Sequence, residues 1–216
     1  MRLVRLAWLF IVLFFVTWGW ILWKAPKGQA DDTPQLPPDL AEIVKKQFGS
    51  CFAVATERSA MKVNYLHPQT SGLPWVIFLT ADLDGDGVED AIIVARCKTP
   101  LMDEASHNYR VVDPYYTNYG YGNPRVTAQF SATDPTRQNL VLVIHGAGKE
   151  AWRAAVPKAK FVFINLPFDT LSVTKVTYHK RPAAAINLTE EEEQSSSVVF
   201  WDGKSKKYRW SDSASQ

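Results

Sequence analysis

The sequence is short of most of the residues that announce an activity. It has two cysteines, Cys51 and Cys97, and four histidines in 216 residues. None of His67, His107, His145 and His179 stands at metal-ligand spacing from another His or Cys, which argues against a zinc site. No G-x-S-x-G occurs, so the chain lacks a nucleophile elbow of the α/β-hydrolase kind. There is no excess of either charge: the formal net charge is +2, which gives no case for a nucleic-acid partner. No internal repeat longer than a turn is present, which excludes a propeller.

What is present falls into three parts. Residues 1–23 read as a membrane segment. Arg2 and Arg5 precede an uncharged run from Leu6 to Trp23, and Lys24 and Lys27 follow it. As a helix the run is about 27 Å long, close to the hydrocarbon thickness of a bilayer. Trp18, Trp20 and Trp23 at its far end suit an interface. The rival is a cleavable signal peptide with Gly28-Gln29-Ala30 at its cleavage site. Either reading sends the rest of the chain across a membrane. The expectation is a single-pass inner-membrane protein of a bacterial envelope, its N-terminus cytoplasmic and its domain periplasmic or extracellular.

Residues 24–38 are rich in proline and polar side chains and read as a linker. Residues 39–216 read as an α+β domain, mainly antiparallel sheet with one or two short helices. "DLAEIVKKQFG" has helical spacing after a candidate N-cap, Asp39. "CFAVAT", "LPWVIFLTADL", "EDAIIVARC", "RVTAQFSA", "NLVLVIHG", "KFVFINL" and "LSVTKVTYH" read as strands. "SVVFWDG" and "KKYRWSD" form a terminal hairpin around Asp202-Gly203. "KEAWRAAV" suggests a short helix, and "TEEEEQSSS" a solvated loop. The two cysteines, in an exported chain, either form one disulfide or remain two buried thiols.

The most informative stretch is "DLDGDGVED", Asp82 to Asp90. Asp82, Asp84 and Asp86 alternate, Gly87 permits a sharp bend, Val88 can offer its carbonyl, and Asp90 follows two residues later. This is the first part of an EF-hand loop, but Ile93 stands where the bidentate glutamate belongs, and the flanks read as strands. An EF-hand is therefore rejected. The bland alternative is a metal-free Asp-Gly turn.

"TADLDGDGVEDAIIVA" resembles the calcium loop of FG-GAP and VCBS-type repeats over about 16 residues. The resemblance implies Ca²⁺ held structurally in a β-hairpin loop, with Asp82, Asp84, Asp86 and Asp90 as side-chain ligands and Val88 as the carbonyl ligand. It implies the loop and not the propeller, since one copy is present.

Two further stretches bear on function. "NLVLVIHGAGKEAW" resembles the strand and His-Gly-x-Gly turn that shape the oxyanion hole of α/β-hydrolases, at His145, Gly146, Ala147 and Gly148. This supports an alternative reading as a hydrolase with an unrecognised site. "DPYYTNYGYGNP" places Tyr115, Tyr116, Tyr119 and Tyr121 on a loop, where they either contact a protein or carbohydrate ligand or pack as a lid. The leading expectation is a membrane-anchored, non-enzymatic binding or envelope-associated module.

Overall fold

The computed structural model describes residues 36–56, 76–120, 139–190 and 195–212. The chain divides into Met1–Gln35 and Leu36–Gln216, and only the second unit contains described residues. The expected anchor (residues 6–23), "RVTAQFSA" and Tyr121 lie outside the described residues.

The α+β expectation is corrected: the described chain is mainly β, built on two sheets, with little helix. The helices are α1 (Leu40–Phe48), α2 (Glu104–His107) and α3 (Pro114–Asn118), with a 3₁₀ segment at Gly148–Arg153. Only α1 repeats its apolar residues over two turns, burying Leu40, Val44 and Phe48. Its expected cap, Asp39, makes no side-chain capping bond and instead pairs with Arg153 at 3.2 Å. "KEAWRAAV" does not continue as an α-helix, because Ala151 takes a left-handed φ of 53° that breaks it. Among the described residues no helix is long and apolar enough to cross a membrane.

The first sheet holds six strands. They are β1 (Ala53–Val54), β2 (Phe78–Ala81), β3 (Asp90–Arg96), β4 (Arg110–Val112), β5 (Asn139–His145) and β6 (Ala159–Phe163). Along β3, β2 pairs with the first half and β1 with the second. On its other edge β3 pairs with β5, β5 with β6, and β6 with β4, the last pair parallel. The second sheet is an antiparallel meander of β7 (Thr170–Tyr178), β8 (Arg181–Glu190), β9 (Ser195–Asp202) and β10 (Lys207–Asp212).

Both faces of the first sheet are covered, and alternation along its strands sorts the side chains into two cores. Ile93, Leu142, Ile144 and Val162 face α1 and Trp152. Ile92, Val94, Val143, Phe161 and Phe163 face the second sheet and meet Leu171, Ile186, Val199 and Tyr208. Strands β3 and β5 are buried on both sides, which is why their sequences are unbroken apolar runs. The acidic loop emerges where β2 and β3 leave this double core.

Candidate metal site

The loop of residues 82–89 spans the open end of the β2–β3 hairpin, which closes at the pair Ala81 and Asp90. Its carboxylates are turned inward by the loop's own backbone. Asp82 Oδ1 accepts the N–H groups of Gly85 (2.8 Å) and Asp86 (3.1 Å), and its Oδ2 accepts that of Gly87 (2.9 Å). Asp84 and Asp86 accept from the N–H two residues ahead, those of Asp86 and Val88. Gly85 and Gly87 supply the left-handed turns, at φ of 75° and 83°.

The result brings Asp82, Asp84 and Asp86 together: each offers a ligand atom, and these lie within 4.8 Å of one another. Three carboxylate oxygens at that separation can hold a metal ion. Val88 donates its N–H to Asp86.

Asp90 stands outside the cluster. It is buried, and its two oxygens accept backbone N–H groups, Oδ2 from Leu83 and Oδ1 from Gly146, each at 2.8 Å. Burial pushes its carboxyl up to about 6, against the lowering effect of those two bonds. Asp90 thus clamps the start of the loop to the end of β5.

Two elements distant in sequence complete the surroundings. Lys158 Nζ bridges Asp84 Oδ2 (2.5 Å) and Asp86 Oδ2 (2.8 Å). This ammonium holds the Asp86 carboxyl below its ordinary range, and the two carboxylates hold Lys158 well above its own. On the inner side, His145 Nδ1 lies 3.4 Å from Asp84 Oδ2, and His145 Nε2 lies 2.6 Å from the Tyr208 hydroxyl. Burial lowers His145 to about 4 and raises Tyr208, so the ring is neutral and the phenol protonated at pH 7. The tautomer that satisfies both partners carries its proton on Nδ1, toward Asp84, while Nε2 accepts from Tyr208. The side chain of Asp84 is only 3 % exposed. It is held from one side by Lys158 and faced from the other by His145.

The His145–Gly148 turn has a different use from an oxyanion hole. The N–H of Gly146 goes to Asp90 and that of Ala147 to the Ala151 carbonyl at 3.0 Å. A Cβ at Gly146 would lie 2.3 Å from the Glu89 carbonyl, so glycine is required by close packing. Glu89 itself accepts from Trp152 Nε1 at 3.1 Å.

Cys51 and Cys97 are joined by a disulfide, which ties the segment after α1 to the end of β3. The loop expected for the tyrosine stretch is corrected over Pro114–Asn118, which form α3 with Tyr115 and Tyr116 inside it, capped by Asp113, whose Oδ1 accepts the Tyr116 N–H at 3.0 Å. Tyr115 and Tyr119 are exposed and share contacts with Trp210, Tyr115 at a centroid distance of 5.1 Å and Tyr119 at 6.2 Å. Tyr116 packs edge-on against Tyr115.

Sequence reasoning did not find Lys158 or Tyr208. Neither stands at a spacing that relates it to the loop: Lys158 arrives through the pairing of β5 with β6, and Tyr208 through the packing of the second sheet on the first. Compared with known proteins, the chain matches no family model, no curated protein and no solved structure.

Proposed function

We propose that the loop of Asp82 to Asp90 binds one Ca²⁺ ion, in a structural role, within a domain held outside the inner membrane by residues 6–23. The observation that carries the ion is the convergence of Asp82, Asp84 and Asp86 on one hairpin loop. Ca²⁺ suits it because this ion takes six to eight oxygen ligands in flexible geometry. The Val88 carbonyl and water can complete the shell, and Asp90 holds the loop's base. The FG-GAP-like pattern of the loop points the same way. The ion would relieve the repulsion of three carboxylates and stiffen the hairpin.

The domain acts as a non-enzymatic binding module of the envelope. The disulfide favours an oxidising compartment. The exposed Tyr115 and Tyr119, packed on the half-buried Trp210, are the surface offered to a protein or carbohydrate ligand.

Thermal melting of the full chain tests the ion. Adding Ca²⁺ to EDTA-treated protein should raise the melting temperature, and Asp82→Asn should abolish the rise. An unchanged melting temperature would sink the reading. Mass spectrometry of the membrane fraction tests the anchor, which requires residues 1–23 to be found intact.

A further inference from the structure

Beside the acidic loop, with Asp84, His145 and Lys158 in its lining, the chain forms a cavity of about 430 Å³. Four cations, Arg110, Lys158, Lys160 and Lys206, line it against the single carboxylate of Asp84. The four differ in how far they are committed. Lys158 is held by Asp84 and Asp86. Lys160 donates to three neutral oxygens, the backbone carbonyl of Gln47 (2.8 Å), Gln47 Oε1 (3.2 Å) and the His107 carbonyl (2.5 Å). Its hydrogen bonds are used, but no carboxylate among the described residues neutralises its charge. Burial pushes its ammonium down from the ordinary lysine range, as an uncompensated half-buried charge requires.

Arg110 and Lys206 are uncommitted: both are exposed, and neither has an ion-pair partner among the described residues. Three positive charges without a counter-ion around one cavity repel each other, and an anion in the cavity removes that cost. Arg110 stands on the sheet edge at β4, paired with Phe161, and Lys206 on the β9–β10 turn. They therefore approach the cavity from separate sheets. Trp201 and Phe161 add an apolar wall, which leaves room for a body larger than a bare ion.

We propose that this cavity binds a phosphate monoester. Arg110 grips the phosphate with its planar fork, Lys206 closes on it from the hairpin, and Lys160 contributes field from behind. A phosphate monoester carries close to two negative charges at pH 7, which matches this uncompensated wall better than a monocarboxylate does. The organic part rests against Trp201. Arg110, Lys160 and Lys206 make no contact with the acidic loop, so the phosphate and a metal ion would be held by different side chains, although Asp84 borders both.

Isothermal titration calorimetry of the full chain at low ionic strength, with EDTA present, tests it. The probes are glucose 6-phosphate, inorganic phosphate and acetate. Glucose 6-phosphate should bind most tightly, inorganic phosphate more weakly, and acetate at least tenfold more weakly than phosphate. Lys206→Ala, on an exposed turn, should weaken glucose 6-phosphate about tenfold without moving the melting temperature. Arg110→Ala with Lys206→Ala should abolish binding. Absence of binding by both phosphate probes, equal binding of acetate, or an unaltered affinity in the Lys206→Ala variant would each overturn the proposal.

Discussion

Asp90 Oδ1 accepts the backbone N–H of Gly146 at 2.8 Å, across 56 residues of sequence. The other oxygen accepts from Leu83, so one buried carboxylate joins the acidic loop to the end of β5. Removing it strands two buried N–H groups. Asp90→Ala should therefore cost about 3 kcal/mol in urea unfolding. Asp90→Asn keeps one acceptor and the shape, and should cost about half of that. Equal costs would show that the two N–H groups find other partners.

Acid titration should separate Asp90 from His145. Burial pushes Asp90 up to about 6 from an ordinary 3.8. Its contribution to stability is fully present below pH 3.8 and is lost as pH rises through 6. His145 is pushed down to about 4 from an ordinary 6.5. Its contribution is present above pH 6.5 and is lost as pH falls through 4. The two oppose each other between pH 4 and 6, and each displacement is worth about 3 kcal/mol. In EDTA the parent chain should therefore show a shallow profile across that window. Asp90→Asn should lose stability on acidification from pH 6.5 to 4, and His145→Gln should gain it. Parallel profiles for the two variants would contradict the assignment.

A divalent cation in the acidic loop would compete with Lys158 for the same carboxylates. Its ammonium lies within 2.8 Å of both Asp84 and Asp86, yet its side chain is 49 % exposed. Such an ion pair adds no more than about 1 kcal/mol to the metal-free fold. Lys158→Met should therefore change stability little in EDTA. It should raise Ca²⁺ affinity about fivefold, because the ion no longer displaces a resident charge. Lys158→Arg should leave affinity near that of the parent. Weaker Ca²⁺ binding by Lys158→Met would mean that the ammonium supports the site.

These relationships mark where the sequence was legible. Strands β3 and β5 are buried on both faces, so "AIIVA" and "LVLVI" carry their own signal. Strand β8 does not: "RPAAAINLTE" opens with proline and three alanines, poor strand formers, and is held as a strand by partners on both edges. Asp113-Pro114 is a helix start that the tyrosines after it obscured. The acidic loop showed where its carboxylates converge, because alternation in a short loop is local. It did not show that Asp90 is clamped to Gly146 or that Lys158 and His145 bracket Asp84. Those contacts depend on which strands pair with β5, and pairing across 50 or more residues leaves no local pattern.

The Cys51–Cys97 disulfide closes a long loop, its ends 46 residues apart, that contains β1, β2 and the whole acidic turn. Cross-linking a loop of that length restricts the unfolded chain by about 4 kcal/mol in the chain-entropy model. The bridge also fixes the far end of β3, opposite the loop, to the segment that follows α1. Reduction should therefore lower stability by a few kcal/mol while leaving the carboxylate cluster at the other end of β3 in place. Cys51→Ala with Cys97→Ala should unfold at lower urea, and its Ca²⁺ affinity, measured well below the transition, should equal that of the parent. Under denaturing conditions without reductant, the parent chain should take up no thiol label. A loss of Ca²⁺ affinity matching the loss of stability would mean that the two ends of β3 are coupled, and that the bridge shapes the acidic loop as well as restraining the unfolded chain.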